Sequence, residues 1–237
     1  MSHNLLKGKK GIIFGALNDM SIAWKVAERA HEEGATFTLT NAPIAMRMGA
    51  MNDLAEKTNS QIIPADATSV DDLKNLFSQS QEILGGKIDF VLHSIGMSPN
   101  VRKKKDYTDL NYEWYKKTLD VSAMSLHKVL KVASETDAIN EWGSVVALTY
   151  IAAQRIFPDY NDMADAKSLL ESITRSFGYH YGTSKKVRVN TISQSPTVTT
   201  AGSGVSGFDK FIDFSENMSP LGNAGSLDCA NSVSYTH

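Results

Sequence analysis

The sequence lacks most of what would send the search toward an exported, metal-bound or membrane-bound protein. It has one cysteine, Cys229, so no internal disulfide can form, and no His/Cys cluster has the spacing of a zinc site; no metal is expected. It has no long hydrophobic run. The longest apolar-leaning stretch, Gly143 to Ala153, is far short of the ~20 residues a bilayer demands. The first residues, Met1 to Lys10, carry no apolar segment ahead of a cleavage site, as a secretory signal would. Neither sign of charge dominates: 24 basic against 26 acidic residues leave a net of −2, a poor basis for the clustered positive surface that nucleic acid requires. There is no internal repeat, low-complexity tract or linker. What remains is the expectation of a soluble, cytoplasmic protein. Its 237 residues, 42% of them hydrophobic, suffice for one sizeable core and are too few for two generous ones.

What is present alternates between two periods. Short apolar or β-branched runs predict strands at Gly11–Gly15, Ala35–Thr40, Gln61–Pro64, Ile88–His93, Gly143–Thr149 and Val187–Ile192. Between them, helical spacing predicts helices over Ser21–Glu33, Ala45–Thr58, Ser69–Leu84, Leu110–Thr136 as one long stretch, and Asn161–Tyr181. Strands and helices in strict alternation imply an α/β fold, a doubly wound parallel sheet with helices on both faces. The single domain is read over residues 1–237, with a loop and helix segment at about 195–220. Phe208–Asn217 reads as a short helix, and Ser226 as the cap of another running to the chain's end at His237.

A glycine ending the first strand, with a helix starting a few residues later, is where such folds bind a dinucleotide, because the helix N-terminus offers unpaired N–H groups to a pyrophosphate. The segment here is Gly15-Ala-Leu-Asn-Asp-Met-Ser21-Ile22-Ala23, which is not G-x-G-x-x-G; taken alone it is equally a plain strand-to-helix turn. Two more strand ends suit a cofactor. Asp66-Ala67 follows the third strand and is fitted to an adenine edge, and Ser94-Ile95-Gly96 after the fourth is a small-residue turn that lets backbone approach a ligand. After the second strand stands Asn41-Ala42, which leaves NADH against NADPH open.

The fifth strand runs into Tyr150, and the next predicted helix is entered through Pro158-Asp159-Tyr160-Asn161, with Lys167 two turns beyond Tyr160. The pair suits reduction by a nicotinamide. A phenol hydrogen bond stabilises the oxygen on which charge develops, and an ammonium lowers the phenol pKa while binding the ribose hydroxyls. Tyrosine and lysine seven apart also occur by chance. A second pair, Tyr181-Gly-Thr-Ser-Lys185, has the Y-x-x-x-K spacing of ordinary short-chain dehydrogenases. It is set aside because Lys185 almost abuts the next strand, whereas that family's lysine has some twenty residues to spare.

With these residues in hand, the chain resembles the bacterial enoyl-acyl-carrier-protein reductases of the NADH-dependent, short-chain-dehydrogenase-like type, from Leu6 to about Asn231. The parts that carry the resemblance are Gly15 with Ser21-Ile22-Ala23, the His93-Ser-Ile-Gly96 turn, Leu148-Thr-Tyr150, Pro158-Asp-Tyr160 with Lys167, and Arg188-Val-Asn190 followed by Pro196. The resemblance implies a Rossmann-like fold and reduction of a trans-2-enoyl thioester in fatty acid elongation. Tyr160 would hold the enolate, Lys167 the nicotinamide ribose, and Tyr150 would line the acyl site. Gly15, Ser21 and Ile22 would meet the cofactor's phosphates and ribose, Asp66 and Ala67 its adenine, Ile95 and Gly96 the neighbouring turn, and Thr197 and Thr199 its carboxamide and pyrophosphate. Backbone at Ser98 would contact substrate. The implied cofactor is NADH, with NADPH not excluded, and the implied partners are an acidic acyl carrier protein and further copies in a homotetramer. Three departures stand out. Ser195 replaces a common glycine before Pro196. Only Lys210 is basic on the helix that often docks the carrier, which leaves the run Arg102–Lys105 as a substitute. The chain also ends before a last strand that the family carries. A dehydrogenase acting on a carbonyl, and a non-catalytic NAD(H)-binding protein, are the alternatives.

Overall fold

The computed structural model describes residues 3–200, 202 and 208–236. Six strands form one sheet: β1 (Lys10–Phe14), β2 (Thr36–Thr40), β3 (Gln61–Ile62), β4 (Ile88–His93), β5 (Ile139–Thr149) and β6 (Arg188–Ser193). Their order is β3-β2-β1-β4-β5-β6 and every pairing is parallel. The chain leaves β1 toward one edge and returns through β4 on β1's other side. The carboxyl ends of β1 and β4 therefore flank the switch point of the sheet, where a crevice opens.

The helices are α1 (Ile22–Glu32), α2 (Met51–Thr58), α3 (Val70–Leu84), α4 (Pro99–Arg102), α5 (Tyr112–Leu119), α6 (Ser125–Glu135), α7 (Asn161–Lys185), α8 (Phe208–Met218) and α9 (Ser226–Thr236). Because side chains alternate along a strand, β1 sends Ile12 and Phe14 to one face and Ile13 to the other. On the first face they meet Leu73, Leu76 and Phe77 of α3, Leu126 and Val129 of α6, and Leu170 of α7. On the second they meet Trp24, Val26 and Ala27 of α1, Leu54 of α2, and Cys229, Ala230 and Val233 of α9. Each fully buried Leu, Ile or Phe contributes roughly 1.5–3 kcal/mol by leaving water, so this two-faced burial is what holds the sheet. Cys229 is a core residue of α9, and burial pushes its thiol up to about 12, which leaves it protonated and inert.

Several predicted elements differ in detail: the helix expected over Asn161–Tyr181 runs on to Lys185, and the strand expected over Gln61–Pro64 ends at Ile62. The stretch expected as one helix over Ala45–Thr58 opens as a 3₁₀ turn, Ala45–Met48, and breaks at Gly49, whose φ of +74° no α-helix tolerates. The long helix over Leu110–Thr136 is continuous from Tyr112 to Glu135 but is wound as a π-helix over Asp120–Met124, between α5 and α6. The fifth strand begins earlier than Gly143, at Ile139. Its pairing with β4 slips between Ile88 and Phe90, opposite a bulge where Trp142 turns outward at φ +64°. Among the described residues no helix is long and apolar enough to cross a membrane.

Candidate active site

The crevice is built on a close approach of two strand ends. Phe14 and His93 are register partners, so the residues after them, Gly15 and Ser94, lie side by side. Gly15 has φ +90°, and a Cβ there would sit 2.0 Å from the Ser94 carbonyl oxygen, so only glycine fits this turn. The helix behind it starts at the extended N-cap Ser21, whose hydroxyl donates back to the Asn18 carbonyl (2.6 Å) rather than capping. The first-turn N–H groups of α1, at Ile22 and Ala23, keep their donors for a ligand. Asp66 and Ala67 follow β3 at the same carboxyl edge. One carboxylate oxygen of Asp66 accepts from the Thr68 amide (2.8 Å) and hydroxyl (2.7 Å), and its own amide donates to Asp72.

The catalytic candidates converge on the end of β5. Tyr150, extended and buried, directly follows that strand. Its ring lies 5.1 Å from that of Tyr160, at 62°. Lys167 projects from α7 with 7% of its surface exposed, and its ammonium donates to the Leu148 carbonyl at 2.7 Å. That leaves two of its three donors unspent. Gly96 lies against the same group: a Cβ at this position would be 3.9 Å from Lys167 Nζ and 3.4 Å from Met163 Cε. Tyr160, Lys167, Tyr150, Gly96, Ile95 and Gly15 thus line one end of the sheet together.

Tyr160 is presented on a strained turn. Asp159 and Asn161, on either side of it, both have positive φ (65° and 42°), conformations in which Asp and Asn are the least costly side chains. Such strain, about 1–3 kcal/mol per residue, gathers at functional sites. Asn161 is held in place by donating to the Lys105 carbonyl.

Burial sets the charges. It lowers the Lys167 pKa to about 8, so the ammonium persists at neutral pH and is lost above it. It pushes Tyr150 up to about 12. Tyr160 is also raised, by burial and by Tyr150 beside it, which corrects the expectation that Lys167 would lower the phenol. The consequence is a phenol that stays protonated, a hydrogen-bond donor throughout the physiological range. The Tyr150 hydroxyl is buried without a partner. An orphaned buried donor costs about 1–3 kcal/mol, which an incoming acceptor would relieve.

Several residues of the site have no role that the sequence alone assigns. His93 is buried at the end of β4. Its Nε2 is 2.8 Å from Ser125 Oγ, whose proton goes to the Val121 carbonyl, so Nε2 carries the hydrogen and Nδ1 is a bare acceptor. Burial first, and the Lys167 charge second, hold this imidazole neutral with a pKa near 3. Ser122, inside the π-helical segment, clamps Met97 twice, accepting from its amide (2.9 Å) and donating to its carbonyl (3.1 Å). A π-helical turn beside a ligand crevice is a common functional placement.

The Thr197 and Thr199 hydroxyls of the loop after β6 bond within their own segment. The Thr197 hydroxyl is engaged within the segment, accepting from Gln194 (2.7 Å), and Thr199 accepts from the Gly202 amide (2.9 Å). The residue that reaches the Gly15 turn is Thr200, which accepts from Asn18 Nδ2 at 2.8 Å. Ser195 is not among the left-handed residues of the described chain, so a side chain in place of glycine is accommodated. Beyond the loop α8 has no buried residue, and touches the site through Phe211, 5.5 Å from Phe157, which in turn stacks 5.1 Å from Tyr150. Residue 201 and the portion 203–207 of the expected 195–220 segment lie outside the described residues.

Comparison with known proteins shows the family to which the chain is similar. The family model described as "Enoyl-(Acyl carrier protein) reductase" matches residues 15–235. An enoyl-[acyl-carrier-protein] reductase [NADH] of Rhizobium meliloti is 32% identical over 219 residues, 92% of this chain and 80% of that protein. A protein of the same name from Rickettsia bellii is 33% identical, over 93% of this chain and 83% of that one. Among solved structures, a FabI–NADH complex from Alistipes finegoldii superposes with a TM-score of 0.97 at 64% identity, covering 99% of this chain and 83% of that chain.

Proposed function

The chain belongs to the enoyl-(acyl carrier protein) reductase family, and from that premise we propose how its residues divide the work. The activity is NADH-dependent reduction of an enoyl thioester. The crevice fits the cofactor on grounds of its own. Gly15 leaves a turn that any Cβ would fill, α1 presents uncapped N–H groups beneath it, and Lys167 has two donors to spend on a ribose. Gly15, Ser21 and Ile22 are assigned to phosphates and ribose, Asp66 and Ala67 to adenine, Ile95, Gly96 and Lys167 to the nicotinamide end, and Thr197 and Thr199 to the carboxamide and pyrophosphate.

When bound, NADH supplies the hydride that adds to the β-carbon of the conjugated double bond. Negative charge then moves to the thioester oxygen, where the Tyr160 hydroxyl donates a hydrogen bond, and a proton finally reaches the α-carbon. Because Tyr160 is held protonated, it donates without first having to gain a proton, the preorganisation that makes such donors effective. Tyr150, its hydroxyl unpartnered and its ring against Tyr160, lines the acyl side, and backbone at Ser98 meets the substrate. The observation that carries this reading is the convergence of the buried Lys167 ammonium and the paired tyrosines on the carboxyl end of β5.

Further readings extend this one. The chain is read as one dinucleotide-binding domain, 1–237, with 195–220 as its substrate-binding segment. The carrier is acidic, and α8 is a poor dock for it, with Lys210 outnumbered by Asp209, Asp213 and Glu216. The dock falls instead on Arg102, Lys103 and Lys104, exposed and joined to the Tyr160 turn through Asn161. Replacing all three by Glu should raise KM for carrier-linked enoyl substrate several-fold and leave a neutral carrier-free thioester unaffected. The protein is read as cytoplasmic and as a homotetramer, in which exposed Trp142 and Tyr179 would be covered. The activity is tested by NADH oxidation with a crotonyl thioester against a panel of ketones. Turnover on the thioester supports it. Turnover on ketones alone would make the protein a carbonyl reductase, and NADH binding with no turnover a non-catalytic binder.

A further inference from the structure

Two residues beyond Tyr160, in the first turn of α7, Asp162 is completely buried. Its carboxylate accepts from Ser98 Oγ at 2.7 Å and Asn100 Nδ2 at 2.9 Å, and Thr118 Oγ1 stands 2.8 Å away, its one proton shared between this carboxylate and the Trp114 carbonyl at 2.9 Å. All three donors are neutral. A buried anion of this kind is costly: its desolvation is offset by hydrogen bonds and by the positive end of α7 rather than by a counter-charge. An apolar residue of like volume would pack the same space without that cost, so packing alone does not account for it.

Its three partners lie on two separate pieces of the site's wall. Ser98 and Asn100 belong to the segment that runs from the Gly96 turn into α4. Asn100 passes the tie on, since its side-chain oxygen accepts from the Asn111 amide at 3.0 Å and its nitrogen donates to the Asn111 carbonyl at 3.2 Å. Thr118 stands in the last turn of α5, immediately before the π-helical segment whose Ser122 clamps Met97. The residues facing the crevice from β4, Gly96 to Ser98, are therefore gripped at Met97 by Ser122 and at Ser98 by Asp162. The second grip comes from the same helical turn that presents Tyr160. The Ser98 hydroxyl is committed, donating to Asp162 and accepting from the Val101 amide at 3.0 Å, so the side chain is held within the wall.

We propose that Asp162 is a positioning residue for the enoyl thioester, its carboxylate locking the Ser98–Asn100 wall to the turn that carries Tyr160 and so fixing the gap in which the thioester lies. This rests on the reading of Tyr160 and the Ser98 backbone as substrate-facing. The cofactor contacts proposed at Gly15 and α1 are made by other residues, none of them bonded to Asp162. Displacement of a reacting group by about 1 Å can cost on the order of a hundred-fold, and loosening one wall of the gap falls below that limit.

The test is steady-state kinetics of the full chain with a crotonyl thioester and NADH, beside NADH binding by fluorescence and circular dichroism. Asp162→Ala should raise KM for the thioester about ten-fold and lower kcat, with NADH affinity within about two-fold of wild type. Asp162→Asn keeps the shape and one acceptor oxygen for Asn100 and Thr118, and the Ser98 hydroxyl can turn to accept from its amide. It should recover most of the loss, leaving KM raised about three-fold. Thioester and NADH constants shifting together in D162A would mark a merely structural residue and overturn the proposal, as would a folded D162A with wild-type kinetics. If D162A does not fold, D162N decides, and an unchanged thioester KM in it overturns the proposal. A wild-type protein that binds NADH but leaves the thioester unreduced would instead defeat the underlying functional reading.

Discussion

Helix α7 carries a tyrosine–lysine pair at each end, and the two are made of the same parts. At its start, Tyr160 and Lys167 face the carboxyl end of β5, with the ammonium buried on the Leu148 carbonyl and its pKa drawn down to about 8. At its end, Tyr181 is a core residue, 2% exposed, and Lys185 is exposed and paired at 3.0 Å with Asp137, which precedes β5 at the opposite end of the sheet. Lys87 shares that carboxylate. The second pair has the more familiar spacing and none of the surroundings. Spacing puts two side chains on one helix face; the sheet end on which that face lands, and whether water is excluded there, give them chemistry.

The comparison can be broken or sharpened by experiment. The largest effect is expected from Lys167→Ala, which should remove nearly all turnover and also weaken NADH binding at least ten-fold, since one group serves both. Tyr160→Phe should cost on the order of 10²–10³ in kcat, the usual loss for one donor to a developing oxyanion, with NADH affinity largely kept. Equal loss of NADH affinity in both variants would contradict the separation of roles. A smaller, graded effect concerns pH. Because the folded Lys167 titrates near 8, kcat/KM for NADH should be level below that value and fall as pH rises through it. A profile flat to pH 10 would show that the ammonium is not the titrating group. At the other end, Lys185→Ala removes an exposed ion pair worth about 0–1 kcal/mol, so turnover should be unchanged and the midpoint of thermal unfolding should drop by no more than a few degrees.

The alternation of strands and helices was legible because each strand is an apolar or β-branched run and each helix has an apolar stripe, as Ile12-Ile13-Phe14 and Trp24-Val26-Ala27 illustrate. The placement of Gly15 and Gly96 was legible because the topology alone puts both beside the switch point. What stayed hidden depends on burial, which one sequence does not display. Asp162 reads as an ordinary acidic residue in a first helical turn, and only the fold reveals it as an enclosed anion with three donors. The π-helical winding at Asp120–Met124 is hidden for a similar reason, because Ser122 earns its position from Met97, a residue of another element. The rise in the Tyr160 pKa follows the same rule. Seven-residue spacing suggested a phenol under the influence of its ammonium, whereas burial and the neighbouring Tyr150 raise it.

The most direct test is the initial rate of NADH oxidation on a crotonyl thioester, measured in parallel for Lys167→Ala and Lys185→Ala at pH 7. A silent first variant beside a second that matches wild type is the predicted result. Wild-type rates in the first, or silence in a folded second, would place the chemistry at the wrong end of α7 and contradict the account.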